Sequence, residues 1–269
     1  MAGFLHQTEN GVEFLTIPAF TQAGFLQAFS TRLGGVSTGG RASLNLASSR
    51  EPDPETATEN IRRFCRSVGC EVSSLVLSAQ THTDHILRVD ASDRGTGLTK
   101  PPFRDIDALI SIDPSVTLMT FHADCAPVFL ADPVTGAVGL IHAGWRGTAA
   151  NIAGKTVRAM EQEFGCVPAD LLAAIGPSAG PCCYEVSEDV GEKLAAVGGD
   201  CLHYPVAGGK PYADLWAANE HSLITAGVSA RNITVCGECT VCNELFYSHR
   251  RQGADRGTMA ALLAAKGRK

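Results

Sequence analysis

Short apolar runs recur along this chain, separated by polar stretches rich in glycine and proline. Runs of that length read as strands buried on one or both faces. They predict strands at 12–17, 25–30, 74–80, 107–112, 116–122, 126–131, 136–142, 171–176 and 232–236. Segments with helical periodicity are fewer and predict helices at 54–68, 147–164, 187–197 and 214–226. Asp53 and Pro54 suit the N-cap and first turn of the first helix. Asp214 suits the cap of the last, and Gly227 its end. The segment RGTMAALLAA, 256–265, fits either a strand or a helix. Several strands follow one another with no helix between them. That pattern predicts an α/β (α+β) fold, with mixed sheets and helices on the outer faces rather than strict βαβ alternation. The polar stretch 91–107 reads as one long surface loop of the kind that borders sites. No repeat or linker divides the chain, so residues 1–269 are expected to form one domain.

Composition narrows the partners. The net charge is −6, from 22 basic and 28 acidic residues among 269. No Lys/Arg block appears, which argues against nucleic acid and membrane surfaces as partners. There is no apolar run of roughly 18 residues and no signal-peptide pattern at the start. A cytoplasmic location is expected. Ten cysteines are many for such a protein. In a reducing compartment clustered thiols point to metal binding or catalysis rather than to disulfides.

Three strand ends carry soft metal ligands. LVLSAQTHTDH supplies His82 and His85, LMTFHADCAP supplies His122, Asp124 and Cys125, and AVGLIHAGWRG supplies His142. Two imidazoles and one thiolate from such ends suit zinc and leave one position open. The bland alternative is that each is a satisfied strand-end residue. HAGWRGTAANI reads as a tight turn opening a helix, where Arg146 and the amides near 147–150 would face an anion. STRLGGVSTGG puts Arg32 in a flexible glycine loop that lacks the Walker pattern. CGECTVC spaces Cys236, Cys239 and Cys242 at two-residue intervals. A structural zinc there would need a distant ligand such as Cys201 or His249, and three free thiols are the simpler expectation. Cys182 and Cys183 are adjacent, an arrangement that rarely ligates one metal, and they read as a turn. SHRRQGADRG, 248–257, is a charge run that either faces solvent, holds a phosphate or orders the last strand.

These motifs together resemble one family. FSTRLGGVSTGGRASLNLA, AQTH, DALIS, ADCAPVFLADP, LIHAGWRGTAANI, AIGPSAGPCCYEV, YADLWAANEHSLITAGV and LFYSHRRQGADRGTMAAL all match it, over about residues 25–265. It is the laccase-domain family, also described as multicopper polyphenol oxidase, purine nucleoside phosphorylase and peptidoglycan editing factor. The resemblance implies a single domain with two mixed β-sheets packed between outer helices. It implies a zinc held by His82, Cys125 and His142. It also implies phosphorolysis of adenosine, inosine, guanosine and methylthioadenosine, plus adenosine deamination. The chain departs from the family pattern at His122, where Thr is usual, and at Thr83, where Gly is usual. His85 is extra, and Cys236 and Cys242 lack family counterparts. His85 and His122 are therefore candidates to enlarge the metal site.

The resulting expectation is a zinc enzyme with Asp124 and Arg146 as catalytic residues. Arg32, Asn45 and Arg146 would bind a purine nucleoside and phosphate. Asp124 would shuttle a proton in deamination, unless strand alternation turns it away. Competing readings are a wall-precursor hydrolase removing misincorporated serine, a copper polyphenol oxidase, and a non-catalytic zinc-stabilised interaction module. Eight histidines and no H-x-H pair disfavour a four-copper oxidase. Assembly into a homo-oligomer stays open.

Overall fold

The computed structural model describes residues 3–205 and 208–266. Two sheets face each other. The first has seven strands in the spatial order β1 (Leu5–Glu9), β2 (Val12–Thr16), β3 (Gln27–Ser30), β15 (Met259–Ala264), β8 (Thr117–His122), β4 (Leu75–Ala79) and β6 (Phe103–Arg104). The second has six, in the order β14 (Ile233–Val235), β11 (Leu172–Ile175), β9 (Ala126–Ala131), β10 (Val138–Ala143), β7 (Ala108–Ser111) and β5 (Ile86–Arg88). Both mix parallel and antiparallel pairs. A small ribbon pairs β12 (Leu202–His203) with β13 (Tyr212–Ala213).

The alternation of side chains along the central strands makes the layers. On β9, Phe129 and Ala131 face the space between the sheets, while Val128 and Leu130 face the outer helices. On β15, Met259, Ala261 and Leu263 enter the same central layer, and Ala260 and Leu262 point the other way. Strands buried on both faces read as continuous apolar runs, which is why they were visible in the sequence. Helix α2 (Pro54–Val68) covers the outer face of the first sheet through Ala57, Ile61 and Phe64. The outer face of the second sheet carries α3 (Trp145–Ala149), α4 (Ile152–Phe164), α5 (Glu188–Ala195) and α6 (Leu215–Thr225). The expected architecture of two sheets between outer helices is the one found. No helix among the described residues is long and apolar enough to cross a membrane.

Local signals explain most boundaries. Asp53 caps α2 by accepting from the Glu55 amide, and Asp214 caps α6 by accepting from Ala217. The helix expected over 147–164 is two helices. Asn151 adopts φ +60°, ends α3, and caps α4 by accepting from the Gly154 amide. Short helices α1 (Pro18–Gln22) and α7 (His249–Gln252) were not anticipated. Nor was β1, whose residues are all exposed. Its turn is Asn10-Gly11, both at positive φ, which is the preferred chemistry of a two-residue hairpin. The 256–265 segment is a strand. The 91–107 loop holds a short helical turn and β6, and its Gly97 and Pro102 border the cavity described below.

Candidate functional site

The site lies where the chain passes between sheets. His82 follows β4 of the first sheet. Cys125 sits in the link from β8 of the first sheet to β9 of the second, and His142 is on β10 of the second. Their ligand atoms all lie within 4.8 Å of one another, and Cys125 Sγ is 3.7 Å from His82 Nε2. The backbone at this crossing is unusual. His82 has φ +66° and Asp124 has φ +90°, conformations that non-glycine residues rarely hold without support. Gly144 is needed here. A Cβ on it would stand 2.8 Å from His82 Cδ2 and 2.9 Å from Cys125 Sγ.

Much of that support comes from Asp107, a residue that sequence reasoning did not assign. Its carboxylate is fully buried. Oδ1 accepts from His142 Nδ1 at 2.7 Å and from the His82 amide at 3.1 Å. Oδ2 accepts from the Thr81 and Thr83 amides and from Thr83 Oγ1. One carboxylate thus fixes the His142 ring and the loop that carries His82. Burial works against its charge, but His142 and these donors hold its pKa at about 2. With Nδ1 committed to Asp107, His142 presents Nε2 to the centre. Gln80 adds a second brace. Its side-chain amide donates to the Phe121 carbonyl and accepts from the Phe121 amide, both at 2.8 Å.

Charge around the thiol favours a ligand. Burial would push the Cys125 thiol up, yet His142 and His82 bring it down to about 6. The nearby thiolate and Asp107 outweigh burial at His142 and raise it to about 9. A polarised imidazole–thiolate pair, an oriented second imidazole and a buried carboxylate behind them fit a divalent soft metal. The donor set provides three ligands, not four.

The extra histidines stay out of this set. His122 is buried with its ring 5.3 Å from that of His142. Its Nδ1 donates to the Cys125 carbonyl and its Nε2 accepts from Thr120 Oγ1, so both nitrogens are used. Burial and the His142 charge drive its pKa well down and keep it neutral. His85 is exposed and donates from Nδ1 to the Asp105 carbonyl. Neither enlarges the metal group.

A cavity of about 440 Å³ opens onto His82, Cys125 and His142. That volume lies within the usual range for small-ligand sites. Its lining also includes Ser48, Ser49, Arg50 and Arg256. Arg256 Nη1 donates to the Gly257 carbonyl and to Thr258 Oγ1. Its Nε, shielded from water, has no partner among the described residues. Burial and Arg50 lower its pKa to about 10. The motif SHRRQGADRG held this residue in view, whereas Arg50 carried no sequence signal.

The arginines expected to face an anion sit elsewhere. Arg146 is exposed and stacks on Trp145, its guanidinium 4.3 Å from the ring. The amides of Thr148 and Ala150 donate to the carbonyls of Gly144 and Arg146, so this short helix does not offer them to a ligand. Arg32 donates from Nε to the Ala42 carbonyl and lies over the Tyr247 ring. Neither arginine borders the cavity. Asn45 is fully buried. Its amide nitrogen donates to Glu51 and to the Ala47 carbonyl, and its oxygen accepts from the amides of Ala47 and Thr258. These bonds engage both ends of its side-chain amide, and it does not line the cavity. The Asp124 carboxylate accepts from Thr240 Oγ1 and the Arg250 amide, both at 2.7 Å. It anchors the start of α7 and the 240 loop.

Comparison with known proteins places the chain among enzymes of one family. Purine nucleoside phosphorylase YlmD of Geobacillus stearothermophilus is 38% identical over 255 residues, covering 92% of this chain and 91% of that protein. A crystal structure of YlmD from the same organism superposes with a TM-score of 0.91, at 34% identity, over 98% of this chain and all of that one. Adenosine deaminase RL5, from an unknown prokaryotic organism, is 32% identical over 241 residues, 86% of this chain and 91% of that protein. The family described as multi-copper polyphenol oxidoreductase laccase matches residues 26–266, and this chain belongs to it.

Proposed function

We propose that the chain is a cytoplasmic, zinc-dependent purine nucleoside phosphorylase for adenosine, inosine, guanosine and methylthioadenosine, with adenosine deaminase activity. The observation that carries the reading is one cavity joining the His82–Cys125–His142 group to the Arg50–Arg256 pair. The names of its relatives support the reaction classes. Bound zinc would supply Lewis acidity at a position the protein leaves open.

The chain's own residues do the positioning. Arg256 and Arg50, which line the same cavity as the histidines, neutralise the phosphate. Phosphorolysis then needs a phosphate oxygen aligned with C1′ while the bond to the base breaks. That is mainly a matter of orientation and charge stabilisation. Asp107 keeps His142 in one tautomer throughout. Asp124 is a positioning residue in this scheme, since its carboxylate holds Thr240 and Arg250 instead of facing the cavity.

The test incubates purified protein with adenosine, inosine and methylthioadenosine, with and without phosphate, and with zinc removed or restored. Base release that requires both phosphate and zinc is expected, with adenosine deamination independent of phosphate. A zinc-loaded protein that releases no base would overturn the assignment. Cleavage of a serine-containing wall precursor in its place would move it to the hydrolase reading. The interaction-module reading fits the site poorly, because a closed structural site needs a fourth ligand.

A further inference from the structure

A second group of soft ligands lies behind Asp124, outside the cavity. Cys182 and Cys183 come from the turn after β11, and Cys239 and Cys242 from the loop after β14. Their four Sγ atoms lie within 4.8 Å of one another. Cys242 Sγ is 3.4 Å from that of Cys182 and 3.1 Å from that of Cys183. A tetrahedral ion with metal–sulfur bonds near 2.3 Å would need sulfur–sulfur separations of about 3.8 Å. These two separations are a few tenths of an ångström shorter than that, and no pair in the group exceeds 4.8 Å.

We propose that Cys182, Cys183, Cys239 and Cys242 bind a second, structural zinc ion as an all-thiolate tetrahedral site. Several features of the backbone prepare it. The amide of Gly180 donates to Cys239 Sγ at 3.2 Å. A backbone donor on that sulfur favours the thiolate a metal requires. The two segments are already paired. Thr240 donates its amide to the Ser178 carbonyl, and Ser178 donates its own to that of Glu238. The turn is closed by the amides of Cys183 and Tyr184, both donating to the Gly180 carbonyl, and it brings adjacent cysteines to one side. Arg251 fixes the loop from behind by donating to the carbonyls of Thr240, Val241, Asn243 and Phe246.

The sequence had grouped the wrong cysteines. Cys236 shares the two-residue spacing but turns toward Glu238, and Cys201 is buried against the Leu194 carbonyl. Neither joins the group, and nor does His249. The partners of Cys239 and Cys242 are the adjacent pair that had read as a plain turn. A zinc here would hold the 240 loop against the 178–184 turn. That loop carries Thr240, whose hydroxyl donates to Asp124 beside Cys125. The site would therefore brace the neighbourhood of the first metal without touching substrate.

The experiment reconstitutes the full chain with excess zinc under reducing conditions, desalts it and counts zinc by elemental analysis. About two zinc ions per chain are expected. Cys239→Ser and Cys242→Ser should each lower the count to about one, and His142→Ala should also leave about one. Cobalt loaded into His142→Ala should give the thiolate charge-transfer bands of a four-sulfur site, which reads the second site without depending on activity. Zinc should also protect exposed Cys182 and Cys242 from a thiol-alkylating reagent. A single zinc in the wild-type chain, or a mass two hydrogens lower with a Cys183–Cys242 or Cys182–Cys183 disulfide under these conditions, would overturn the proposal. So would a zinc count in Cys242→Ser equal to that of the wild type.

Discussion

The His82–Cys125–His142 group and the four-cysteine group lie on either side of Asp124, and they are built differently. The first has mixed nitrogen and sulfur donors, three ligands, and a buried carboxylate that orients two of them. It opens onto a cavity that Arg50 and Arg256 also line. The second has four like donors on two segments, with the Gly180 amide rather than a carboxylate bonded to one of the sulfurs. Three ligands and a cavity leave room for chemistry, whereas four thiolates close a coordination sphere. The comparison teaches that ligand count and the surrounding layer say more about role than the presence of cysteine and histidine does.

His142→Ala should break the contrast most severely. It removes one ligand and the partner of Asp107, so turnover should fall roughly a thousandfold, from the loss of several kcal/mol of Lewis-acid stabilisation. Nucleoside turnover at saturating phosphate measures it, and activity near the wild-type level would sink the metal assignment. Asp107→Asn tests whether the orienting carboxylate separates the two groups. Affinity for the first zinc should drop about ten- to a hundredfold while the cysteine group keeps its metal. Competition against a graded series of chelators reads both losses. Unchanged affinity would return Asp107 to a purely structural role.

Arg256→Ala addresses the cationic part of the cavity lining. Losing a charge-assisted contact should weaken phosphate dependence by roughly 1.5–3 kcal/mol, about ten- to a hundredfold. Deamination of adenosine should change less, so the ratio of base release to deamination at varied phosphate is the measurement. An unaltered ratio would remove Arg256 from phosphate binding. Arg146→Ala is the sharpening control and the smallest effect. Its exposed guanidinium stacks on Trp145 away from the cavity, and the phosphate dependence should stay within about twofold. A larger shift in the KM for phosphate would restore Arg146 to the site.

Much of the fold was legible because its central strands are buried on both faces and so read as apolar runs. The capped helices α2 and α6 were legible through Asp53 and Asp214. What escaped notice lacked an apolar signature. β1 is exposed along its whole length, and the break at Asn151 depends on one left-handed residue inside a helical pattern. In the site, His82, Cys125 and His142 stood out because each is a soft donor close to the end of an apolar run. Asp107 did not, since an aspartate opening an apolar strand looks the same whether it faces water or a buried imidazole. Arg50 and Arg256 come together only through tertiary packing, as do Cys183 and Cys239, which no local spacing relates. The glycine-rich settings of Arg32 and Arg146 suggested phosphate, but the glycines there serve close backbone packing, as Gly144 against His82 and Gly147 against the Thr83 carbonyl make plain.

The position of the first metal group on the crossing between the two sheets has a mechanical consequence. One ligand follows a strand of one sheet, one lies in the connecting link, and one belongs to the other sheet. A metal held there acts as a rivet through the seam of the sandwich. Sliding or parting of the sheets would stretch the ligand triangle, so breathing of the sandwich and release of the ion become linked events. By mass action, metal at about a thousand times its dissociation constant would add about 4 kcal/mol against any opening that destroys the site. The resting rigidity of the two-sheet sandwich would then follow the free-metal level around it.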